Sequence, residues 1–313
     1  MTKPIAHALV TGGAGFIGSH LVDALLRQGA RVTVVDNLTT GKRDNLKDAG
    51  DGVALHEGDI RDADLLRRLM KGVEVVFHQA AVVSVPLSVA QPLESAAVNE
   101  MGTLTVLETA RQAGCRRVVL ASSSAVYGDD PQLPKRETMP LRPLSPYAVQ
   151  KMTGEYYARL YQTLYGLETV GLRYFNVFGP RQDPSSPYSG VISIFMERAA
   201  GGRAPLIFGD GEQTRDFVFV RDVVDANLRA ATAAAAAGGV FNIGTGRPIT
   251  INALWQQVAD LAGVGLSPAY EAAREGDIRH SVAAIDAARE SLNFAPAVSF
   301  ADGLARTYAW YRQ

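Results

Sequence analysis

Residues 6–37, "AHALVTGGAGFIGSHLVDALLRQGARVTVVDN", decide the fold. A short apolar run, a turn carrying Gly12, Gly15 and Gly18, apolar residues at helical spacing, and a second run "RVTVVD" ending at Asp36 read as strand, glycine turn, helix and strand. That is one βαβ unit. The alternation continues through "VALHEGDI", a helix around "ADLLRRLMKG", the run "VEVVFHQAA", a long helix from about Leu93 to Gly114 and the strand "RRVVLASSS". Apolar runs too continuous for one wetted face imply a parallel sheet covered on both sides. The expected class is therefore α/β, a doubly wound parallel-sheet Rossmann domain over residues 1–173. A smaller C-terminal substrate-binding lobe is expected over 174–313, with segments at about 217–250 returning to the first domain. The Pro- and Ser-rich "GPRQDPSSPYSG" and the turn "FGDGEQTRD" suit such a lobe, and "DANLRAATAAAAAGG" reads as a helix closed by glycine.

The spacing GxxGxxG between a strand and a helix lets backbone approach a pyrophosphate, while the helix N-terminus offers unpaired N–H groups and a partial positive charge. Asp36, closing the second strand, stands where a carboxylate would accept hydrogen bonds from the adenosine ribose. Its charge would repel a 2′-phosphate and no arginine follows it directly, so NAD is expected rather than NADP. Asp59 and Ile60, in "GDI" after the third strand, fall where an adenine could be held; a solvated turn is the plainer alternative.

Bulk properties narrow the function classes. The 313 residues are 47% hydrophobic and 20% charged, an ordinary globular composition with length for a large core. A formal net charge of −1 with scattered basic residues argues against nucleic acid and against an anionic membrane surface. The start of the chain lacks the pattern of a secretory signal and no long apolar run exists, so a cytoplasmic protein is expected. Cys115, the single cysteine, reads as a packed or idle thiol. No metal is expected.

"PYAVQK", residues 146–151, places Tyr147 and Lys151 one helical turn apart on one face. Alone, this pattern is common on solvated helices. Together with "TGGAGFIG", "GDI", "HQAA", "SSSAVYG" and "RYFNVFGPRQ", in this order along nearly the whole chain, it resembles the extended short-chain dehydrogenase/reductase family. "RYFN" and the tail "REGDIRHS" are most similar to its NAD-dependent UDP-hexose 4-epimerases.

That resemblance implies catalytic roles for Ser123, Tyr147 and Lys151. Tyr147 would be the acid/base, Lys151 would lower the phenol's pKa and hold the nicotinamide ribose, and Ser123 would bind the reacting sugar hydroxyl and relay its proton. A free phenol titrates near ~10, and working near 7 demands about 4 kcal/mol of preference for the phenolate. The triple serine could equally cap the next turn. The cofactor would touch Gly12, Gly15, Phe16, Ile17, Gly18, Asp36, Asn37, Asp59, Ile60, Gln79, Ala80, Ala81, Asn99, Ser122, Tyr147, Lys151 and Tyr174. Asn99 would bridge the sheet to the catalytic segment, or be a buried structural amide. His78 reads as a packed strand-end histidine.

On the substrate side the resemblance implies Ser84, Val85 and Ser123 near the sugar. It implies Asn176, Val191, Leu206, Phe208, Arg215, Arg274 and Asp277 around the UDP portion. Dehydrating relatives carry an Asp-Glu pair before "VYG" and decarboxylating ones a glutamate; this chain has Ser124 and Ala125 there, which favours oxidation and reduction at a single carbon. The expected reaction is reversible C4 epimerisation of UDP-hexoses through a 4-keto sugar. Ser281 falls where some epimerases close the sugar pocket with tyrosine, so UDP-GlcNAc and UDP-GalNAc are expected as substrates, with UDP-Glc and UDP-Gal possible ones. The rival readings are a net nucleotide-sugar dehydrogenase or reductase and a non-catalytic NAD-sensing relative. A homodimer is implied, built from the helix near 93–113 and the helix carrying Tyr147.

Overall fold

The computed structural model describes residues 4–183, 190–273 and 278–312. The chain runs β1 (His7–Thr11), α1 (Phe16–Arg27), β2 (Arg31–Asp36), β3 (Val53–Glu57), α2 (Ala63–Leu69), β4 (Val75–His78), α3 (Val85–Ala90), α4 (Pro92–Ala96), α5 (Thr103–Gln112) and β5 (Arg117–Ser123). It continues through α6 (Pro146–Tyr165), β6 (Glu168–Tyr174), β7 (Asn176–Phe178), α7 (Val191–Ala200), β8 (Leu206–Phe208), β9 (Thr214–Phe219), α8 (Val220–Thr232) and β10 (Val240–Ile243). β11 (Pro248–Thr250), α9 (Ile251–Ala262), β12 (Ala269–Glu271), α10 (Asp286–Leu292) and α11 (Phe300–Tyr311) complete it.

Seven strands form one sheet in the order β10-β6-β5-β4-β1-β2-β3, and every neighbouring pair is parallel. Both faces are dry, as the unbroken apolar runs require. Ala8, Val10, Val32, Val34, Phe77 and Val119 face one core with Leu21 and Leu25 of α1 and Val223 and Ala226 of α8. Their chain neighbours Leu9, Val35, Val76 and Val118 face the other, against Leu66 of α2, Val106 and Leu107 of α5 and Ala158 of α6. Strand order reverses between β1 and β4, so the loops after these two strands border a crevice at the carboxyl edge of the sheet.

Beyond β6 the chain builds a second core. β7, β9 and β11 form a three-stranded sheet and β8 pairs with β12, while α8 and β10 pack on or join the large sheet. Phe178 meets Phe217, Phe219 and Phe300 within 6.4 Å between ring centroids, and Phe195 stands edge-on to Trp255.

Two elements differ from the sequence reading. The alanine run does not extend α8, which ends at Thr232; Ala233 is extended and Ala234–Ala236 form a short 3₁₀ turn. The cause is remote in sequence. The guanidinium of Arg117, 2% exposed on β5, donates to the carbonyls of Ala230 and Ala233 at 2.7 and 2.8 Å, and Arg116 donates to Ala231 at 3.1 Å. Two cations thus close the negative end of the helix, overriding the propensity of alanine. The long helix from Leu93 is also not regular: a π turn over Ala97–Gly102 separates α4 from α5. There the Thr103 hydroxyl donates to the Asn99 carbonyl at 2.6 Å, and π turns of this kind concentrate at functional positions.

Candidate active site

The glycine loop is built at the limit of backbone approach. Gly12 has φ +69°, and a Cβ on it would sit 2.7 Å from the backbone nitrogen of Ala80 in the loop after β4. A Cβ on Gly18 would run into the carbonyl oxygen of Gly12. These glycines therefore close the first βα turn against the neighbouring loop, leaving α1 to begin at Phe16 with no side-chain cap and no acid in its first turn. The positive end of α1 is open to an anion. Asp36 is held at the end of β2, accepting from the backbone nitrogens of Ala14 and Leu38, both at 2.9 Å. Asn37 beside it is exposed, and its side chain is bound by Thr39. A tight glycine turn, an uncapped helix start and a fixed carboxylate at the next strand end fit a dinucleotide.

Asp59 is ion-paired with Arg61 at 2.8 Å, which holds its carboxyl below the usual range, while Ile60 is buried beside it. Gln79 and Ala80 lie directly against the glycine loop; Gln79 donates to Thr11 through its backbone at 3.1 Å. Its side chain and the Tyr174 hydroxyl share Asn227 of α8, which donates to Tyr174 at 2.8 Å. Burial pushes the Tyr174 phenol up to about 12. Ala81 is half-buried, and the next residue, Val82, is fixed by Asn99, whose amide pairs with both backbone groups of Val82 at 2.8 and 2.9 Å. The same amide donates to Gln150 of α6 at 2.7 Å. Asn99 is thus a buried structural amide that also ties the post-β4 loop to the helix of Tyr147.

Ser145 caps α6, accepting from Ala148 at 3.2 Å, and Pro146 opens its first turn. Tyr147, 9% exposed, donates its backbone N–H to Ser88 of α3 at 3.1 Å. Burial raises the phenol's pKa, and the Ser123 hydroxyl pulls the other way. Ser123 ends β5 and caps the following turn, accepting from Ala125 at 3.2 Å. Lys151 is engaged by the backbone. Its ammonium donates to the Ala121 carbonyl at 2.9 Å and lies 5.9 Å from the centre of the Tyr147 ring. The chain's own groups leave the phenol above its ordinary value, not below it, because desolvation outweighs the influence of Ser123. Burial lowers Lys151 itself to about 8, with Glu155 opposing.

Ser122 is turned the other way. It follows Val118 and Leu120 onto the face covered by α6, where its hydroxyl donates to Glu155. Glu155 pairs with Arg173 at 2.9 and 2.7 Å, Arg173 donates to the Tyr127 hydroxyl at 2.8 Å, and Tyr127 donates to Asn242 at 2.7 Å. None of Glu155, Arg173, Tyr127 and Asn242 was singled out as a site residue from sequence. Glu155 carried a signal, since it falls eight residues after Tyr147 and four after Lys151. His78 is packed between Thr11 and Thr103 at 2.8 and 2.9 Å, and burial, aided by Lys151, lowers it to about 3. Burial raises the Cys115 thiol to about 11. Among the described residues no cluster could hold a metal ion and no helix is long and apolar enough to cross a membrane.

Ser84 caps α3, accepting from Leu87 at 3.0 Å, and Val85 begins it at 40% exposure. Asn176 of β7 and Val191, first residue of α7, line one small cleft with Gln182 and Phe217. Leu206 and Phe208 bound β8. Arg215 on β9 donates to the carbonyls of Thr214 and Arg279 at 2.9 and 3.4 Å, and buried Ser281 donates its backbone N–H to the same Thr214 carbonyl at 3.1 Å. Arg274 and Asp277 lie outside the described residues.

A phenol influenced by a serine, a half-buried lysine one turn on, and a glycine loop share one edge of the sheet. A UDP-glucose 4-epimerase of Mycolicibacterium smegmatis is 45% identical over 308 residues, covering 97% of this chain and 98% of that one. The crystal structure of UDP-glucose 4-epimerase from Thermotoga maritima with UDP-glucose superposes with a TM-score of 0.94 at 41% identity, over 98% of both chains. The UDP-N-acetylglucosamine 4-epimerase of Methanobrevibacter ruminantium, in complex with UDP-N-acetylmuramic acid, gives 0.95 at 40% identity over 99% of both. Residues 8–244, which span the glycine loop, Ser123, Tyr147 and Lys151, match the model of one family throughout, and the chain belongs to that NAD dependent epimerase/dehydratase family, with NAD as its cofactor.

Proposed function

We propose that the protein interconverts UDP-hexoses epimeric at C4. The observation that carries this reading is that the buried Tyr147 phenol, with Lys151 one turn further along α6, lies under the influence of Ser123 at the carboxyl end of β5, the sheet edge that also carries the glycine loop after β1. Bound NAD supplies a hydride acceptor and donor at C4 of the sugar. The chain's own work is with protons and position. Tyr147 takes the proton of the C4 hydroxyl and returns it after the sugar has turned over. Ser123 orients that hydroxyl and shares the proton in transit. Lys151 supplies the positive charge that favours the phenolate and holds the nicotinamide ribose. Gly12, Gly15, Phe16, Ile17 and Gly18 receive the pyrophosphate, and Asp36 the adenosine ribose. Ser124 and Ala125, where dehydrating relatives carry acids, leave no second carboxyl to eliminate water.

Sugar choice follows from pocket volume. Ser281 is small and buried beside β9, and a serine there leaves room for a 2-acetamido group, so UDP-GlcNAc and UDP-GalNAc join UDP-Glc and UDP-Gal as substrates. Asn176, Val191, Leu206, Phe208 and Arg215 hold the UDP portion, keeping the nucleotide fixed while the sugar rotates. The test is product analysis by NMR after separate incubation with UDP-GlcNAc and UDP-Gal. Appearance of the C4 isomer in both supports the reading; stoichiometric NADH without any isomer means a net dehydrogenase. If Ser281→Tyr leaves the ratio of the two activities unchanged, the pocket argument fails.

A second copy of the chain is the partner. Val149, Tyr156, Leu160 and Leu164 form an exposed apolar stripe on α6, and Leu93 and Met101 lie exposed on the α4–α5 segment, at 39–87% exposure. Pairing these helices with their copies makes a four-helix bundle that buries the patch.

A further inference from the structure

Three consecutive residues of β5 act on three residues of α6 spaced by one turn each. The Ala121 carbonyl accepts from Lys151 at 2.9 Å, the Ser122 hydroxyl donates to Glu155, and Ser123 holds down the pKa of the Tyr147 phenol. Residues i, i+4 and i+8 remain on one side of a helix, so the two hydrogen bonds reinforce a single register between α6 and the strand end. The Glu155 carboxylate is 9% exposed and gripped by both edges of the Arg173 guanidinium. Through Tyr127 and Asn242 this pair is anchored to β10 at the sheet edge.

We infer that Glu155 is a positioning residue for the reaction: its carboxylate locks α6 to β5 at Ser122 and sets a negative charge one turn from the Lys151 ammonium. The inference rests on the reading of Ser123, Tyr147 and Lys151 given above. An ion pair this buried adds little net stability over apolar residues of the same volume, so stability alone does not account for its place. Its effect on Lys151 does. Burial drives the lysine down to about 8 while Glu155 opposes the fall. The other charged or titratable groups around the cluster do not replace it. Arg173 from β6 is a cation, His78 from β4 is held neutral, and Tyr127 is pushed up to about 12. Arg159 of α6 and Glu137 line a cavity of about 460 Å³ with Glu155 and Arg173, and Glu137 accepts from the backbone of Asn242 at 2.7 Å.

Glu155→Gln tests it. Without the carboxylate charge Lys151 deprotonates at lower pH, so the alkaline limb of kcat should move down by about one pH unit, with kcat roughly tenfold lower and KM for UDP-sugar nearly unchanged. Glu155→Asp, which keeps the charge, should restore the position of the limb. Where Glu155→Gln gives no soluble protein, Ser122→Ala, which frees the carboxylate from β5 while keeping its charge, should lower kcat with the alkaline limb unmoved, and an unchanged kcat there overturns the inference. For Glu155→Gln itself, a limb that superimposes on that of the unsubstituted protein, with kcat lowered by one factor at every pH, overturns the inference. Tyr147→Phe run alongside separates the two readings: full activity there would remove the site itself, whatever Glu155→Gln does.

Discussion

Lys151 reaches the Ala121 carbonyl at 2.9 Å, while its ammonium stands 5.9 Å from the centre of the Tyr147 ring. On the proposed reading the lysine serves the phenol through its charge rather than through a hydrogen bond, since its ammonium is bonded to the backbone. Burial lowers that charge's pKa to about 8. A lysine is protonated below its pKa, so the stabilising charge is present at neutral pH and lost above about 8. Initial rates of epimerisation measured from pH 6 to 10 should fall on the alkaline side near that value; a rate still rising at pH 10 would contradict it.

Tyr147→Phe removes the proton carrier but leaves the ring packed in a site where the phenol is 9% exposed. Loss of general acid/base catalysis of this kind costs about 10²–10⁴-fold in rate. The expected outcome is that loss in kcat, with the NAD content of the purified protein unchanged in its absorbance spectrum.

Asn99 satisfies the backbone N–H and C=O of Val82 and the Gln150 amide at once. Asn99→Leu leaves these buried groups without partners, at about 1–3 kcal/mol each. A urea unfolding midpoint should show at least about 2 kcal/mol of lost stability, and activity should fall because the post-β4 loop and α6 lose their tie.

Gly18 and Gly29 make opposite forecasts for the same substitution. Gly18→Ala places a methyl against the Gly12 carbonyl inside the loop that faces the cofactor. Gly29, at φ +79°, has open space around it, so Gly29→Ala bears only the left-handed backbone penalty of about 1–2 kcal/mol. Calorimetric NAD binding should be abolished or weakened severely in the first variant and unchanged in the second.

The exposed stripe on α6 makes a prediction about assembly. Leu160→Glu with Leu164→Glu places two charges on residues 48% and 63% exposed. Light scattering should report a dimer for the unsubstituted chain and a monomer for this variant, with the monomer's far-UV circular dichroism unchanged.

The sequence by itself determined the βαβ order, the glycine turn, the acid at the end of β2 and the one-turn spacing of Tyr147 and Lys151. These are legible because each is set within a few residues, by strand and helix periodicity or by a backbone turn that tolerates no Cβ. Three things were settled only by tertiary contacts. The alanine run looked helical, yet α8 stops where arginines more than a hundred residues earlier take its last carbonyls. The partner of Ser122 was not legible in the triple serine, because both faces of β5 are buried and local pattern cannot say which one the Glu155 face of α6 covers. The lysine's partner was likewise invisible, since the Ala121 carbonyl is brought to it by the packing of a helix on a strand 30 residues away. Local geometry is encoded in short spacings; the direction a buried polar group faces is decided by whichever distant element comes to satisfy it.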